Sequence, residues 1–321
     1  MHVRLAIAFA TLAVTGSHAL AQSYPSKPIR VIVPYAAGGT SDILARQIGP
    51  KLTETFGQPV IVENKPGANG NVGAEFVAKS APDGYTLLLT DVGGLVISPS
   101  VYPNLPFDPA KDFSPIVMVS YSPHVLAVHP SVQAKDVREL VAMAKAHPGK
   151  LNFAISGIGG APHLAGIEFA QRTGVNWTCI PYKGGSDAVT GVVGGQAHVL
   201  FNGMLATWPS VTGGKLKALA ISSGARVPAA PDTPTVAEQG LPGFETGSFQ
   251  AIVGPAGIPR ETVGKLNGEL RRVLNTADMK ERFAKQGTEV RADTPQQLGD
   301  YLRVEKARWA KVVKDSGAKF E

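Results

Sequence analysis

Short apolar runs alternate with helical periodicities along most of this chain. The first apolar runs, each bounded by turn residues, lie at 29–34, 60–63 and 85–90 and are typical of buried strands. Between the first two, apolar residues recur every four positions and predict one face of a helix: Leu44, Ile48, Leu52 and Phe56. Gly49-Pro50 interrupts that pattern, and because proline removes a backbone donor we expect a kink or a restart there.

A second series of elements begins near residue 123. Strand-like runs lie at 125–129, 151–155, 177–180, 197–202 and 216–221, and a helix is predicted at 135–146. From residue 260 onward strands nearly vanish, and Leu266, Leu270, Val273 and Leu274 mark an amphipathic helix. This order predicts an α/β fold with mostly parallel sheets, in two lobes followed by a helical tail that packs on a lobe.

The turn-rich segments suggest where the chain passes between the lobes. We expect it to cross near Ser122 and to return near Thr246, after the proline- and glycine-rich stretch 228–243. Lobe one then comprises residues 22–122 plus 247–321, and lobe two comprises residues 123–246. Hinged lobes of this kind leave a ligand cleft between them.

The first 21 residues resemble an export signal. Arg4 is followed by the apolar run 5–14, and Ala19-Leu20-Ala21 fits a small-residue cleavage site. The apolar run is much shorter than the roughly 20 residues that span a bilayer. We therefore expect cleavage after Ala21 and a mature protein in the periplasm.

Composition excludes several classes of protein. Hydrophobic residues make up 44% and charged residues 17% of the chain, as in a packed globular protein. The net charge is +6, but the basic residues of the C-terminal part are interleaved with acidic ones, so nucleic-acid binding is not expected. The only cysteine, Cys179, cannot form an intramolecular disulfide and is interpreted as a small buried apolar residue.

Gly38 and Gly39 lie between the first strand and the first helix. The first turn of a helix has unpaired N–H groups and a partial positive charge, so this loop can hold a carboxylate or phosphate. We expect Thr40 or Ser41 to cap the helix. The alternative to an anion site is that Gly38-Gly39 only makes a tight turn and Thr40 only caps the helix. Neither a Walker lysine nor the G-x-G-x-x-G spacing is present, so nucleotide binding is not expected here.

Two similar turns favour the anion site. Residues 156–163 and 181–186 each follow a predicted strand and precede a helix, and both fall in the other lobe. If the lobes face one another, helix N-termini lie on both walls of the cleft. Such a cleft can bind an anion and close on it.

Several ordered motifs resemble the Bug family, the periplasmic substrate-binding components of tripartite tricarboxylate transporters. They are PYAAGGTSD (34–42), VENKPGA (62–68), DGYTLL (83–88), PYKGG (181–185), PTVAE (234–238) and GPAGIP (254–259). The resemblance implies a two-lobed Venus-flytrap protein, without a cofactor, that captures a small organic acid. It further implies permease subunits in the membrane as partners, and we expect a monomer.

The resemblance also implies how a carboxylate is held, by backbone N–H groups, hydroxyls and waters of both lobes. The residues it assigns are Tyr35, Ala37, Gly38, Gly39, Thr40 and Asp42 in lobe one, and Gly157, Gly159, Gly160, His163, Tyr182 and Gly184 in lobe two. Asp42 is expected to orient the loop or a water. His163 is either a ligand contact or a residue that stabilises the start of a helix.

Three further residues are candidate ligand contacts because of their positions in the sequence. Asn202 falls where the family often has aspartate, and could select the distal end of a ligand. Asp91, at a strand end near the cleft, would repel a second ligand carboxylate unless an amine, a water or a proton intervenes. Phe249 either covers the ligand or packs in a core, and Lys183 is interpreted as an exposed lysine beside a turn.

Two other classes of function remain as alternatives, a hydrolase and a partner of a membrane sensor. A hydrolase would need an exposed nucleophile, but the sequence has no G-x-S-x-G motif, no H-E-x-x-H pair and too few cysteines for a thiolate metal site. A ligand-loaded partner of a membrane sensor would use the same cleft. The sequence thus predicts reversible capture of a di- or aromatic carboxylate, with no bond made or broken.

Overall fold

The protein is described by a computed structural model that covers residues 24–316, so the predicted signal peptide lies outside the described residues. The strands are β1 (Ile29–Val33), β2 (Val60–Asn64), β3 (Thr86–Asp91), β4 (Phe113–Val128), β5 (Asn152–Ile155), β6 (Thr178–Pro181), β7 (Val199–Gly203), β8 (Lys217–Ile221), β9 (Gly247–Pro255) and β10 (Glu289–Val290). The helices are α1 (Thr40–Phe56), α2 (Asn71–Ala78), α3 (Val92–Val101), α4 (Val137–Ala146), α5 (Ala161–Thr173), α6 (Gly185–Val193), α7 (Met204–Thr212), α8 (Arg260–Leu274), α9 (Ala277–Lys285) and α10 (Pro295–Ser316), and a 3₁₀ turn at Ala68–Gly70 precedes α2.

The strands form two half-sheets that share β4. One half has the order β2-β1-β3-β9-β4, with β10 paired to β4, and the other has the order β4-β7-β5-β6, with β8 paired to β4. Strands β1 to β3 are parallel to their neighbours within that group, and so are β5 to β7. The pairings of β4, β8, β9 and β10 are antiparallel, so the expectation of mostly parallel sheets is wrong outside those two groups.

Strand β4 connects the two lobes. Up to the pair Pro123–Gly247 it lies beside β9, and from His124 onward it lies between β7 and β8. The predicted crossings near 122 and 246 fall at this change of partner, while the exact lobe boundaries stay a prediction. Sequence patterns missed the strand residues 113–123, where prolines interrupt the apolar run. They also missed 247–255, where glycine and polar residues interrupt it.

Helices cover both faces of each half-sheet. In the first lobe α1, α8 and α9 bury one face, and α2, α3 and α10 bury the other. In the second lobe α4 and α5 lie on one face and α6 and α7 on the opposite one. The C-terminal helices bury the apolar stripe that their spacing predicted, including Leu266, Leu270 and Leu274. No helix between residues 24 and 316 is long and apolar enough to cross a membrane.

Two local features bear on the sequence-based expectations. Helix α1 continues through Pro50, so there is no restart there, and the alternative of a kink stays a prediction; Pro50 lies on the exposed side, where a carbonyl freed by the missing N–H can bond to water. Cys179, which we expected to be buried, is exposed on β6, the last strand of its half-sheet, and its Sγ lies 4.0 Å from Nε2 of His163. Its position on an edge strand, which is not visible in a local pattern, leaves it open to solvent.

His124 occupies the point where β4 enters the second lobe. Its ring is fully buried, with Nδ1 3.1 Å from Oγ1 of Thr246 and Nε2 3.1 Å from Oγ of Ser248. Its backbone N–H and C=O both bond to Ser222 of the second lobe. Burial lowers the pKa of His124 to about 3. A neutral imidazole therefore ties the two crossing strands together.

His124 should make the stability of the protein fall with acidity. Its pKa is lower when folded than when unfolded, so its contribution is present above about pH 6.5 and is lost as the pH falls toward 3. At pH 5 this effect should lower the free energy of unfolding by about 2 kcal/mol relative to its value above pH 6.5. Urea unfolding between pH 7.5 and 4.5 should show a smaller pH slope for His124→Gln than for the wild type.

A matched control is His147→Gln, at the exposed C-terminal end of α4. This variant should keep the wild-type slope. An equal slope for His124→Gln and the wild type would show that His124 is not the group that resists protonation.

Candidate functional site

A cavity lies between the two lobes, where the predicted glycine loops meet. The first lobe contributes Tyr35, Gly39, Thr40, Ser41, Asn69, Asp91, Gly94, Ser248 and Gln250, and the second contributes Ser156, Gly160, Ala161, Pro162, Gly185, Asn202 and Gly203. The cavity contains about 490 Å³ of empty space, part of it open to solvent.

The loop before α1 is shaped by Asp42. Its carboxylate accepts hydrogen bonds from the Gly38 N–H (2.9 Å), from Nε of Arg46 and from Nδ2 of Asn64 (3.0 Å each). Burial raises the pKa of Asp42, but these three donors outweigh it and leave the pKa below its ordinary value. Gly38 has φ of +78°, which a side chain would strain. These contacts favour the interpretation that Asp42 orients the loop, and Asp42 is not among the residues that line the cavity.

No side chain caps α1, so the expectation that Thr40 or Ser41 does so is wrong. Gly39 is the N-cap residue, and the Ser41 hydroxyl donates instead to Oε1 of Gln250 at 2.6 Å. The N–H groups of the first turn of α1 therefore face the cavity without a side-chain acceptor.

Three helices of the second lobe begin at the same cavity in the same way. The N-cap residues of α5, α6 and α7 are Gly160, Gly184 and Gly203, and none has a side-chain cap. Asn202, which lines the cavity, donates from Nδ2 to Oγ1 of Thr207 (3.0 Å) and so connects the start of α7 to the wall. Four helix N-termini from two lobes thus converge, and their partial positive charges add at one place.

The cavity wall has a single charged side chain among the described residues, that of Asp91. Its Oδ1 accepts the Gly93 N–H (2.7 Å) and its Oδ2 accepts from Nε2 of Gln250 (3.1 Å). Burial raises the pKa of Asp91 to about 6, although Ser248, Gly93 and Gln250 donate to it. Asp91 is therefore ionised above that pH. Within residues 24–316, no lysine, arginine or histidine lines the cavity.

The lobes touch each other around the cavity. The Ser186 hydroxyl donates to the Ala37 carbonyl at 2.7 Å, across the cleft. A Cβ added to Gly184 would lie 3.1 Å from the Ala36 nitrogen, so the two loops meet backbone to backbone. The described conformation is thus a closed one.

Asn69 is a cavity residue that the sequence analysis missed. It has φ of +54°, in the left-handed region that asparagine tolerates, and its side chain crosses to the second lobe. Its Oδ1 lies 2.9 Å from where a Cβ of Gly160 would be, so it fills the space that this glycine leaves. Its Nδ2 is buried and has no hydrogen-bond partner among the described residues. The sequence signal for this residue is the GANGN turn at 67–71, in which glycines flank an asparagine that tolerates a positive φ.

The structure places several predicted residues around the cavity rather than in its wall. Ala37, Gly38 and Gly184 make the contacts between the loops, while Gly157 and Tyr182 line an outer cavity at the mouth of the cleft.

His163 contacts the turn before α5. Gly159 donates its N–H to Nδ1 of His163 (2.9 Å), and burial lowers the pKa of His163 to about 4. His163 therefore stabilises the turn before α5, which favours the second of its two interpretations. Lys183 is exposed.

Phe249 faces away from the cavity. Its ring packs against Tyr121 (4.7 Å between centroids) and Tyr301 (4.9 Å), and lines a separate cavity behind the hinge. Because side chains alternate along a strand, its neighbours Ser248 and Gln250 face the cavity instead. These contacts support the packing interpretation of Phe249.

Two lobes joined by crossing strands, with a polar cavity closed between them, define a ligand-binding protein of the periplasmic type. Among residues 24–316 no group of three or more His, Cys, Asp or Glu side chains is arranged to hold a metal ion. A family model described as the tripartite tricarboxylate transporter family receptor matches residues 44–318. The chain belongs to this family of solute-binding proteins, which are not enzymes.

Solved structures agree with this assignment. The chain is similar to the periplasmic binding protein BugD, at 35% identity and a TM-score of 0.89 over 92% of this chain and 99% of that one. It resembles Rpa4515 of R. palustris with adipate at 33% identity and a TM-score of 0.89, over 92% and 98% of the two chains. It also resembles MatC of Rhodopseudomonas palustris with bound malate at 32% identity and a TM-score of 0.86, over 90% and 100%.

The contact between the lobes can be tested with a disulfide. A Cβ on Gly38 would lie 3.6 Å from Cβ of Ser186, within the roughly 3.5–4.5 Å that a disulfide spans. In a Cys179→Ser background, Gly38→Cys with Ser186→Cys should therefore cross-link rapidly under mild oxidation. Mass spectrometry of non-reduced peptides would measure the yield over time.

The control pair replaces Gly57, which has φ of +64° at the far end of α1, together with Ser186. It carries similar backbone strain but no contact across the cleft. If the two pairs oxidise equally slowly, the protein in solution does not visit the closed conformation.

Proposed function

We propose that the protein binds a small organic carboxylate in the periplasm and delivers it to the membrane permease of a tripartite tricarboxylate transporter. The observation that carries the proposal is the convergence of α1, α5, α6 and α7, each with a glycine N-cap, on one cavity without a basic side chain. Unpaired first-turn N–H groups stabilise an anion there without a lysine or arginine.

The carboxylate is held mainly by backbone groups in this proposal. The N–H groups that follow Gly39 and Gly160 approach it from opposite lobes, and the hydroxyls of Thr40 and Ser156 lie in the same wall. Nδ2 of Asn69 is a buried donor that lacks a partner until a ligand enters. Tyr35 adds its hydroxyl, which lies 3.4 Å from Oγ1 of Thr90.

Similarity to proteins with bound acids supports this class of ligand. Adipate in Rpa4515 and malate in MatC are both small carboxylic acids, and each protein matches this chain over at least nine tenths of its length. The transporter partner rests on the family to which the chain belongs.

Closure couples binding to delivery. In an open state the helix N-termini of the two lobes are separated, and each faces water. An anion that contacts both lobes binds the closed state more tightly than the open state, and this difference in affinity shifts the protein toward the closed state. The permease then recognises the closed form. The hydrogen bond from Ser186 to Ala37 forms only when the lobes meet.

Export is part of the same proposal. Cleavage after Ala21 would give a mature chain that begins at Gln22, with residues 123–246 as the second lobe and the remainder as the first. The mass of the protein recovered from a periplasmic fraction measures the cleavage site directly.

A thermal-shift screen of organic acids tests the proposed function. Mature protein that has been unfolded, dialysed and refolded should be stabilised by about 2.7 kcal/mol when a ligand is present at 100 times its Kd. Small mono- and dicarboxylates, adipate and malate included, are the test compounds, and neutral sugars and dipeptides are the comparison set. Stabilisation by the comparison set alone would refute the carboxylate proposal.

Asn69→Gly should weaken binding of whichever acid the screen identifies. The change removes the whole side chain, the Cβ methylene together with the carboxamide, and it relieves the left-handed backbone strain at this position, so the backbone of the turn should be kept. Losing a hydrogen bond to a charged group costs about 1.5–3 kcal/mol, which corresponds to at least a tenfold higher Kd by titration calorimetry.

Ala68→Gly is the matched control, since Ala68 also has a positive φ (+45°) in the same turn but does not line the cavity. It should bind with wild-type affinity. Equal affinities for Asn69→Gly and the wild type would remove Asn69 from the site.

A further inference from the structure

The cavity wall combines glycine-capped helix N-termini with one carboxylate. The N-termini of α1, α5, α6 and α7 place partial positive charge there, which suits a ligand carboxylate. Asp91 is the one charged side chain in the wall among the described residues, and it is negative. The part of the cavity beside Asp91 is therefore unsuited to a second ligand carboxylate.

Asp91 cannot turn away from the cavity without losing its donors. It is the N-cap of α3, where its side chain accepts the Gly93 N–H. Its other oxygen accepts from Gln250, whose amide is oriented in turn by the hydrogen bond that its Oε1 accepts from Ser41. The chain Ser41–Gln250–Asp91 therefore fixes both the position and the acceptor character of the carboxylate.

The hinge adds a further constraint on the same side chain. Ser248 hydrogen-bonds to Asp91 and lies 3.1 Å from Nε2 of His124, whose ring also approaches Thr246. If the Ser248 hydroxyl donates to Asp91, then His124 donates from Nε2 to Ser248 and accepts at Nδ1 from Thr246. Each group in this network thus has a consistent role, and none of them carries a positive charge that would cancel the carboxylate.

A ligand group that meets Asp91 therefore encounters a fixed negative acceptor. A second ligand carboxylate would place like charges together in a partly desolvated cavity, which is unfavourable. A hydrogen-bond donor would use the remaining lone pairs of Asp91, and an ammonium group would also neutralise its charge.

We propose that Asp91 makes this site selective for carboxylic acids that carry a hydrogen-bond donor, best an ammonium group, at the end away from the bound carboxylate, and that it disfavours plain dicarboxylates. This inference rests on the proposed function and specifies its ligand class. Asp91 acts as a specificity-determining residue through an unfavourable contact with the wrong ligand.

Pairs of acids matched in length test the inference. Titration calorimetry at pH 8 would compare 4-aminobutyrate with succinate, and 5-aminopentanoate with glutarate, on ligand-stripped mature protein. The wild type should bind the amino acid of at least one pair about tenfold or more tightly than the dicarboxylate. Asp91→Asn, which keeps the shape but removes the charge, should reduce or reverse that ratio.

Two further variants keep the test decisive. Asp91→Ser retains a short acceptor for the Gly93 N–H, and it should shift the ratio in the same direction if Asp91→Asn folds poorly. Asp232→Asn removes the same charge from an exposed loop and should leave the ratio unchanged.

The outcomes separate this inference from the proposed function. If carboxylates bind but the ratio is the same in the wild type and both Asp91 variants, the role of Asp91 is refuted and carboxylate capture stands. A wild type that prefers the dicarboxylate of each pair would also overturn the inference. If no carboxylate binds at all, the proposed function fails and the inference fails with it.

Discussion

The unpaired N–H groups at the starts of four helices are the constraint on which this structure depends. Every α-helix leaves such groups, and most helices use a side chain or water to satisfy them. Here α1, α5, α6 and α7 begin with glycines and no side-chain cap, and all four point into one cavity. The groups that other helices use for capping are thus left for an anionic ligand, and they come together only when the lobes meet.

The crossing strands make that meeting possible. Strand β4 belongs to both half-sheets, and β9 lies beside it on the first-lobe side, so the lobes are joined by two adjacent segments. His124, where β4 changes partner, is linked through Ser248 to Asp91 in the cavity wall. The hinge and the ligand site therefore share one hydrogen-bond network.

Recognition by backbone alone would distinguish anions poorly, because any carboxylate can accept from N–H groups. Discrimination must come from the few side chains in the wall. Asn69 fills the space left by Gly160 and brings an unpaired donor, while Asp91 brings a fixed negative charge. Under the proposed function, these two side chains would give an otherwise generic anion site a preference among acids.

Local patterns were sufficient for much of the fold. Most of the buried strands, the amphipathic helices after residue 260 and the three glycine turns were predicted, because each depends on periodicity or turn chemistry within about ten residues. The long strand β4 and its partner β9 were not, because their pairing joins residues far apart in the chain. The same limit explains why Phe249 was a site candidate and Ser248 and Gln250 were not. Successive side chains of a strand point to opposite faces, so only the strand's position in the sheet decides which of them face the cavity. The sequence by itself determined that helices begin at glycine turns able to hold an anion; only the tertiary structure decided which N-termini meet, because their convergence depends on how the two lobes close.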